Sequence, residues 1–189
     1  MKVVIVGGVA GGATAAARIR RLDEEAEIVV FERTGYISYA NCGLPYYIGG
    51  TIEDAEELTL QTPESFWKRF RVQMKVQHEV TAIHPERKTV SVKNLENAEE
   101  FEESYDKLLL SPGAKPVLPK ISGIGNEKLF TLRTVEDTFK IKKYIEEKKP
   151  KSVILAGGGF ISLELAENLR ESGMDVTIVQ RPKQLMNPF

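Results

Sequence analysis

Cys42 is the single cysteine of the chain, and it lies in a segment of small, polar and aromatic residues, SYANCGLPYY, at 38–47. A single cysteine most often acts as a small buried hydrophobic residue. The polar and glycine neighbours of Cys42 indicate a loop instead, and Pro45 suits the start of a short helix that ends at Gly49-Gly50. The positive end of a helix dipole stabilises a thiolate in front of it. The segment therefore suggests a reactive thiol, with an inert buried cysteine as the alternative.

The first residues of the chain have the pattern of a phosphate-binding turn. A β-branched run at 2–6 leads into the glycine turn GGVAGG at 7–12 and then into an alanine-rich helical pattern. Backbone N–H groups at such a helix start bind phosphate, and glycine lets the anion approach closely. Gly7 and Gly12 match the first and third glycines of the GxGxxG pattern, whereas Val9 stands where the second is expected.

Glu32 strengthens this interpretation. It follows a strand-like run at 27–31 and stands 20 residues past Gly12, where a carboxylate accepts hydrogen bonds from a ribose. Glu32 therefore favours a nucleotide site over an ordinary tight strand-to-helix turn, which is the alternative.

Residues 152–180 repeat this organisation, and the repeat is the main sign of how the chain is built. A β-branched run leads into a second glycine turn and a helical pattern, and another strand follows. The turn keeps Gly157 and Gly159 of the dinucleotide pattern but has Ser162 in the third position. The sequence therefore predicts two βαβ units of the dinucleotide-binding kind.

The two residues that follow the last strand of the second unit, at 180–181, indicate which nicotinamide nucleotide the chain prefers. Gln180 stands where an acidic residue would hold a free ribose 2′-hydroxyl, and Arg181 follows it. A missing carboxylate beside a cation suits the 2′-phosphate of NADPH better. The sequence favours NADPH over NADH, with a merely solvated Arg181 as the alternative.

Three residues with polar or cationic side chains, Thr14, Arg18 and Arg21, are spaced by four and three and share one face of the first helix. Two guanidinium groups there could hold a phosphate. Cations near a helix C-terminus are also common as solvated groups, and the residues alone favour that interpretation. Arg20 lies on a different face and is expected to be solvated. Neither histidine has partners at ligand spacing, so no metal site is predicted.

The 189 residues carry a formal net charge of -1, which gives no reason to expect nucleic acid or an anionic membrane as a partner. No apolar run is long enough to span a bilayer, and the first residues lack the layout of a signal peptide. One cysteine cannot form an internal disulfide. We therefore expect a cytoplasmic protein.

The sequence pattern changes between the two glycine turns. Residues 77–83 and 89–92 alternate apolar and polar residues, which predicts antiparallel strands. The polar segment 94–103 is expected to be their connecting turn, and 105–110 another strand. A charged amphipathic helix is predicted over 135–148.

These patterns predict an α/β fold with two dinucleotide-binding, Rossmann-like βαβ domains and an inserted antiparallel β segment. The first domain would span 1–114, with the insertion at about 75–105. A crossover and helix would occupy 115–150, and 151–189 would begin the second domain. Since such a domain normally has further strands, the second domain is expected to be incomplete and the chain to be a fragment.

These residues resemble the pyridine nucleotide-disulfide oxidoreductases and, within them, the coenzyme A disulfide reductases. The single-cysteine segment at 38–47, the first turn with Val9 in place and YDKLLLSPGA at 105–114 are typical of this group. The resemblance covers nearly the whole chain. It implies an FAD-binding domain at 1–114 and the start of an NAD(P)-binding domain at 151–189.

The resemblance also implies roles for individual residues, with Cys42 as the catalytic residue. FAD would contact Gly7, Ala10, Gly11, Gly12, Glu32, Arg33, Ser111, Pro112 and Gly113. The nicotinamide nucleotide would contact Gly157, Gly159, Gln180 and Arg181. Coenzyme A would contact Thr14, Arg18, Arg21, Ser38 and Asn41, which replaces the solvated interpretation of the first helix.

The implied reaction is reduction of coenzyme A disulfide by NAD(P)H through FAD and Cys42, which forms a mixed disulfide with coenzyme A. The full-length family forms homodimers, and we expect the 189-residue chain alone to be inactive and to bind FAD weakly or not at all. One alternative is a NADH oxidase or peroxidase that uses a sulfenic acid. A persulfide or polysulfide reductase and a non-catalytic flavin-binding redox sensor also stay open.

Overall fold

The computed structural model describes residues 1–186, which pack as two units. The first unit comprises Met1–Tyr39 and Thr59–Ala114, and the second comprises Ala40–Leu58 and the chain from Lys115 onwards. Parallel strands alternate with helices, and a separate antiparallel sheet is present, so the predicted α/β fold is confirmed. The predicted domain limits at 114 and 150 stay a prediction.

The helices and strands follow one another along the chain in the order β1 (Lys2–Val6), α1 (Ala10–Leu22), β2 (Glu27–Phe31), α2 (Leu44–Gly49), α3 (Pro63–Phe70), β3 (Gln73–Lys75), β4 (His78–His84), β5 (Thr89–Asn94), β6 (Glu100–Ser104), β7 (Lys107–Leu110), α4 (Val135–Lys148), β8 (Ser152–Ala156), α5 (Phe160–Glu171) and β9 (Asp175–Val179). Short 3-10 turns at Asn41–Gly43 and Ala55–Leu58 flank α2.

A four-stranded parallel sheet in the order β3-β2-β1-β7 forms the centre of the first unit. Both of its faces are buried, which explains why β2 is a continuous apolar run rather than an alternating one. On one face, the small side chains of Ala13, Ala16 and Ala17 let α1 pack closely. On the other face, Val90 and Val92 of β5 cover the sheet.

The predicted turn at 94–103 is wrong in part, because β6 lies within it and pairs antiparallel with β5. Phe101 is the single apolar residue of this strand, and its ring lies 6.1 Å from that of Phe31. The Lys2 ammonium lies 2.6 Å from Oε1 of Glu103 in the same strand β6, and the hydrogen bonds that it donates to Glu103 and then to Glu27 raise the pKa of Lys2. The inserted sheet is thereby tied to β1 and β2.

Arg20 is not solvated, contrary to the expectation from its helix face. Its guanidinium donates to the five backbone carbonyls of Asp23, Glu24, Ala26, Phe70 and Arg71. These carbonyls lie at or beyond the C-terminal ends of α1 and α3, where the last carbonyls of a helix have no partner within the helix. Arg20 therefore joins the two helix ends.

The second unit is built on β8 and β9, which pair in parallel from Ser152↔Asp175 to Ala156↔Val179. One face of this pair packs on α5 through an apolar cluster that includes Leu165, Leu169 and Met174. Helix α4 begins at a capping box in which the Thr134 hydroxyl accepts from the backbone N–H of Asp137. Within the described residues, none of the helices has the length and apolar character needed to cross a membrane.

We predict that Arg20→Met lowers the free energy of unfolding of the first unit by about 2 kcal/mol, because the apolar stem is kept while the charged donor is lost. Urea denaturation followed by circular dichroism measures the change. Arg21→Met, on the exposed end of the same helix, is the matched control. Equal stability of the two variants would contradict this role of Arg20.

Candidate nucleotide-binding turns and redox cysteine

The first glycine turn is packed so closely that no side chain fits at its first and last glycines. A Cβ on Gly7 would overlap the carbonyl oxygen of Ser111, and one on Gly12 would overlap that of Gly7. Gly7 also has a φ of +96°, a conformation that favours glycine. The backbone amide of Gly7 donates to Phe31 and that of Ser111 to Val6, both at 2.8 Å. The ends of β1, β2 and β7 therefore meet at this turn.

Helix α1 starts at the turn without a side-chain cap. Val9 is the residue before the helix, and neither it nor any acidic residue of the first turn compensates the N–H groups there. Ala10 and Gly11 are exposed, and a Cβ on Gly11 would lie 2.9 Å from the Ser111 hydroxyl. Free N–H groups at a helix start are suited to a phosphate.

Glu32 is buried beside the turn, with 7% of its surface exposed. Its Oε2 accepts from the backbone amide of Gly8 at 2.7 Å, and its Oε1 accepts from the amide and hydroxyl of Thr34, both at 2.8 Å. A carboxylate accepts about four hydrogen bonds, so Oε2 keeps capacity for one more donor such as a ribose hydroxyl. The sequence analysis did not predict that Gly8 and Thr34 donate hydrogen bonds to Glu32.

The remaining residues predicted to bind FAD lie at the same edge of the parallel sheet. Arg33 directly follows Glu32, is exposed and pairs with Glu79 at 3.5 Å. Pro112 and Gly113 follow the end of β7 and are exposed. In parallel α/β sheets this edge, at the carboxyl ends of the strands, is where ligands bind.

The residues predicted to bind coenzyme A are divided between the two units. Thr14, Arg18 and Arg21 are exposed on α1 of the first unit. Ser38 of the same unit has a φ of +45°, its amide donates to Gly8 at 3.1 Å and its carbonyl accepts from Leu60 at 3.1 Å. A non-glycine residue in this region is uncommon and is often found at functional sites.

Asn41 belongs to the second unit, where Arg133 donates from Nη1 to its Oδ1 at 3.3 Å. The two residues are 92 positions apart. Arg133 could not be identified from the sequence, because no local pattern reports a contact across that separation.

Cys42 lies in the 3-10 turn and is exposed, so the alternative of a buried cysteine does not hold. Gly43 packs inward, since a Cβ on it would lie 3.2 Å from Ile52 and from Leu58. Helix α2 starts at Leu44 rather than at Pro45, which is its second residue. The helix has only six residues, so the support that its dipole gives to a thiolate is smaller than a long helix would provide.

The second glycine turn is open at Gly157 and Gly159 but closely packed at Gly158. Gly157 has a φ of +111°, and the nearest atom to a Cβ there is the Ser162 hydroxyl at 4.0 Å. Gly159 precedes α5 and has nothing within 4 Å of such a Cβ. The side-chain amide of Gln180 lies against Gly158, and its Nε2 donates to the Pro182 carbonyl at 3.1 Å.

Arg181 is exposed next to this turn, and no acidic residue lies in the first turn of α5. Across residues 1–186, histidine, cysteine and acidic side chains form no cluster suited to a metal ion.

The chain is similar to several proteins of known identity. A coenzyme A disulfide reductase of Staphylococcus aureus (strain NCTC 8325 / PS 47) is 47% identical over 184 residues, which are 97% of this chain and 41% of that relative. The chain therefore spans less than half the length of this relative. The crystal structure of reduced Bacillus anthracis CoADR-RHD matches 100% of this chain and 34% of its own, with a TM-score of 0.97 and 55% identity.

An engineered water-forming NADPH oxidase, derived from the Lactobacillus brevis NADH oxidase, is also similar in structure. It was determined with NADPH bound, and the match has a TM-score of 0.93 and 34% identity over 100% of this chain and 41% of that one. Its substitutions include an aspartate replaced by alanine and, at the next position, an alanine replaced by arginine.

The two βαβ units with their glycine turns agree with a match that extends along the entire sequence. Residues 1–189 match the family described as pyridine nucleotide-disulphide oxidoreductase, and the chain belongs to that family.

Proposed function

We propose that this chain is part of an FAD-dependent enzyme that reduces coenzyme A disulfide with NAD(P)H through Cys42. The observation that carries the proposal is the exposure of Cys42, the single cysteine, in a tight turn of the chain. The Staphylococcus aureus relative, a coenzyme A disulfide reductase, supports the choice of substrate. Because the chain covers 41% of that relative, the activity is proposed for a protein of the relative's full length.

The first unit fits FAD by its own geometry. The uncapped N–H groups at the start of α1 would hold the pyrophosphate, and Oε2 of Glu32 would accept from a ribose hydroxyl. Ser111, Pro112 and Gly113 would contact the cofactor at the end of β7. When bound, FAD supplies two-electron transfer between a nicotinamide and a thiol–disulfide pair.

Cys42 performs the exchange chemistry with a single sulfur. Its thiolate attacks one sulfur of coenzyme A disulfide, forms a mixed disulfide and releases one coenzyme A thiolate. Two electrons from NAD(P)H then break the mixed disulfide, which releases the second coenzyme A as a thiolate and restores the Cys42 thiolate. Overall, one disulfide, one NAD(P)H and one proton give two coenzyme A thiols and NAD(P)⁺.

We propose that the exposed Thr14, Arg18 and Arg21 contact the phosphates of coenzyme A. Guanidinium groups bind phosphate strongly because their donors match its geometry. Ser38 and Asn41 are assigned to the same ligand by their resemblance to the single-cysteine segment of the family. A homodimer is likewise proposed from that resemblance, and a cytoplasmic location is proposed from the single cysteine.

The similarity to an oxidase favours a second candidate, in which oxygen is the electron acceptor. In that case Cys42 would cycle through sulfenic acid, and coenzyme A would not be consumed. A choice of electron acceptors in the assay also separates both candidates from a persulfide or polysulfide reductase and from a redox sensor without turnover.

For a protein of full length that contains this chain, we predict that Cys42→Ser lowers NADPH-dependent coenzyme A disulfide reduction about 1000-fold, because serine cannot form the mixed disulfide. NADPH consumption is measured with coenzyme A disulfide, oxygen, peroxide and polysulfide in turn. Flavin content serves as the control for folding and is expected to be unchanged. Turnover with oxygen but not with coenzyme A disulfide would establish the oxidase, and an undiminished variant would refute the role of Cys42.

We predict that Arg181→Ala in the same protein raises the KM for NADPH about tenfold and leaves the KM for NADH unchanged. The reason is loss of a cation beside the 2′-phosphate, and the arginine introduced into the engineered NADPH oxidase supports this assignment. Lys183→Ala, an exposed cation two residues further on, is the matched control. A similar effect on both nucleotides would show that Arg181 does not read the 2′-phosphate.

A further inference from the structure

Helix α2, which directly follows the Cys42 turn, packs against the buried polar side chain of Asn168 in α5. A Cβ placed on Gly49 of α2 would lie 2.5 Å from the Cβ and 2.7 Å from the Oδ1 of Asn168. Asn168 is 2% exposed. The backbone of α2 at Gly49 therefore packs directly against the Asn168 side chain, and only glycine allows so close a contact.

Asn168 is held in one orientation by hydrogen bonds. Its Nδ2 donates to the Glu164 carbonyl at 2.8 Å, and its Oδ1 accepts from the Thr51 hydroxyl at 3.3 Å. The apolar cluster that also joins α2 to α5, with Ile48 and Leu165 among its members, sets no direction of its own. A satisfied polar group in such a setting specifies one arrangement of the elements around it.

Helix α2 depends on these contacts for its position, because a helix of six residues is not stable alone. Its other side is held by α4, where Lys142 donates to the Ile48 carbonyl at 3.3 Å. The rings of Tyr47 and Phe139 meet edge-on at 5.7 Å. Gly50, with a φ of +93°, ends the helix.

The Cys42 turn continues into α2 without a break. The Leu44 amide donates to the Asn41 carbonyl, and the Gly43 amide donates to Ala40 at 2.9 Å. A displacement at Gly49 is therefore passed along a hydrogen-bonded segment to Cys42.

We propose that Asn168 is a positioning residue for Cys42, which sets the placement of α2 and of the turn that presents the thiol. Helix α5 begins at the second glycine turn, so the element that carries Asn168 also carries the proposed nicotinamide nucleotide site. The importance of this placement for catalysis rests on the proposed role of Cys42 in thiol exchange.

Two variants alter the contact from opposite sides. Asn168→Ala removes the polar support, and Gly49→Ala forces α2 away from α5. Glu167→Ala, an exposed residue on the same helix, is the matched control. Amide hydrogen exchange is followed by peptide across the chain, and the rate of Cys42 alkylation by iodoacetamide is followed as a function of pH.

Both variants are expected to speed exchange in residues 43–51 about tenfold and to change the alkylation rate about threefold. Exchange in β8 and β9 is expected to stay within about twofold of the parent chain, and Glu167→Ala to match the parent throughout. If one variant fails to fold, the other still tests the same contact.

Exchange that rises equally across the second unit, or an alkylation profile that stays unchanged, would overturn the proposal and leave Asn168 a purely structural residue. Failure of the proposed function gives a different result. In that case the full-length protein with Cys42→Ser would still reduce coenzyme A disulfide. The faster hydrogen exchange in residues 43–51 of Asn168→Ala would nevertheless be observed.

Discussion

The first unit depends on the contact between the backbone at Gly7, Gly12 and Ser111, where no side chain fits. This contact fixes the distance between the ends of β1 and β7 and the start of α1. It leaves the first N–H groups of α1 uncapped, and it places Gly8 within reach of the buried Glu32. One packing constraint thus creates both an uncapped helix start suited to a phosphate and a buried carboxylate that can accept a further hydrogen bond.

The second unit uses close packing at a different place. A Cβ on Gly49 would lie 2.5 Å from the Cβ of Asn168, and one on Gly158 would overlap Oε1 of Gln180, whereas Gly157 and Gly159 are open. One of these constraints acts on the helix that follows Cys42, and the other acts on the second glycine turn.

Elements with strong periodicity could be predicted from the sequence: β1, β2 and α4 have the bounds that their patterns predict, and β8, α5 and β9 follow one another within the predicted repeat at 152–180. Strand β6 could not be predicted, because Phe101 is its single apolar residue and the strand depends on pairing with β5. The hydrogen bonds of Arg20 to Phe70 and of Arg133 to Asn41 cross 50 and 92 positions. Local patterns carry no information about such contacts, so the roles of Arg20 and Arg133 could not be predicted, whereas the glycine turns and Glu32 follow from patterns within about 25 residues.

Thiol–disulfide exchange between Cys42 and coenzyme A disulfide would leave a covalent adduct that mass spectrometry can detect. The measurement is the intact mass of a full-length protein that contains this chain, after incubation with coenzyme A disulfide and again after NADPH. We expect one coenzyme A bound at Cys42, located by peptide mapping, and its release on reduction. A Cys42 that never carries coenzyme A, or that is converted only to sulfenic acid by oxygen or peroxide, would contradict the proposed exchange.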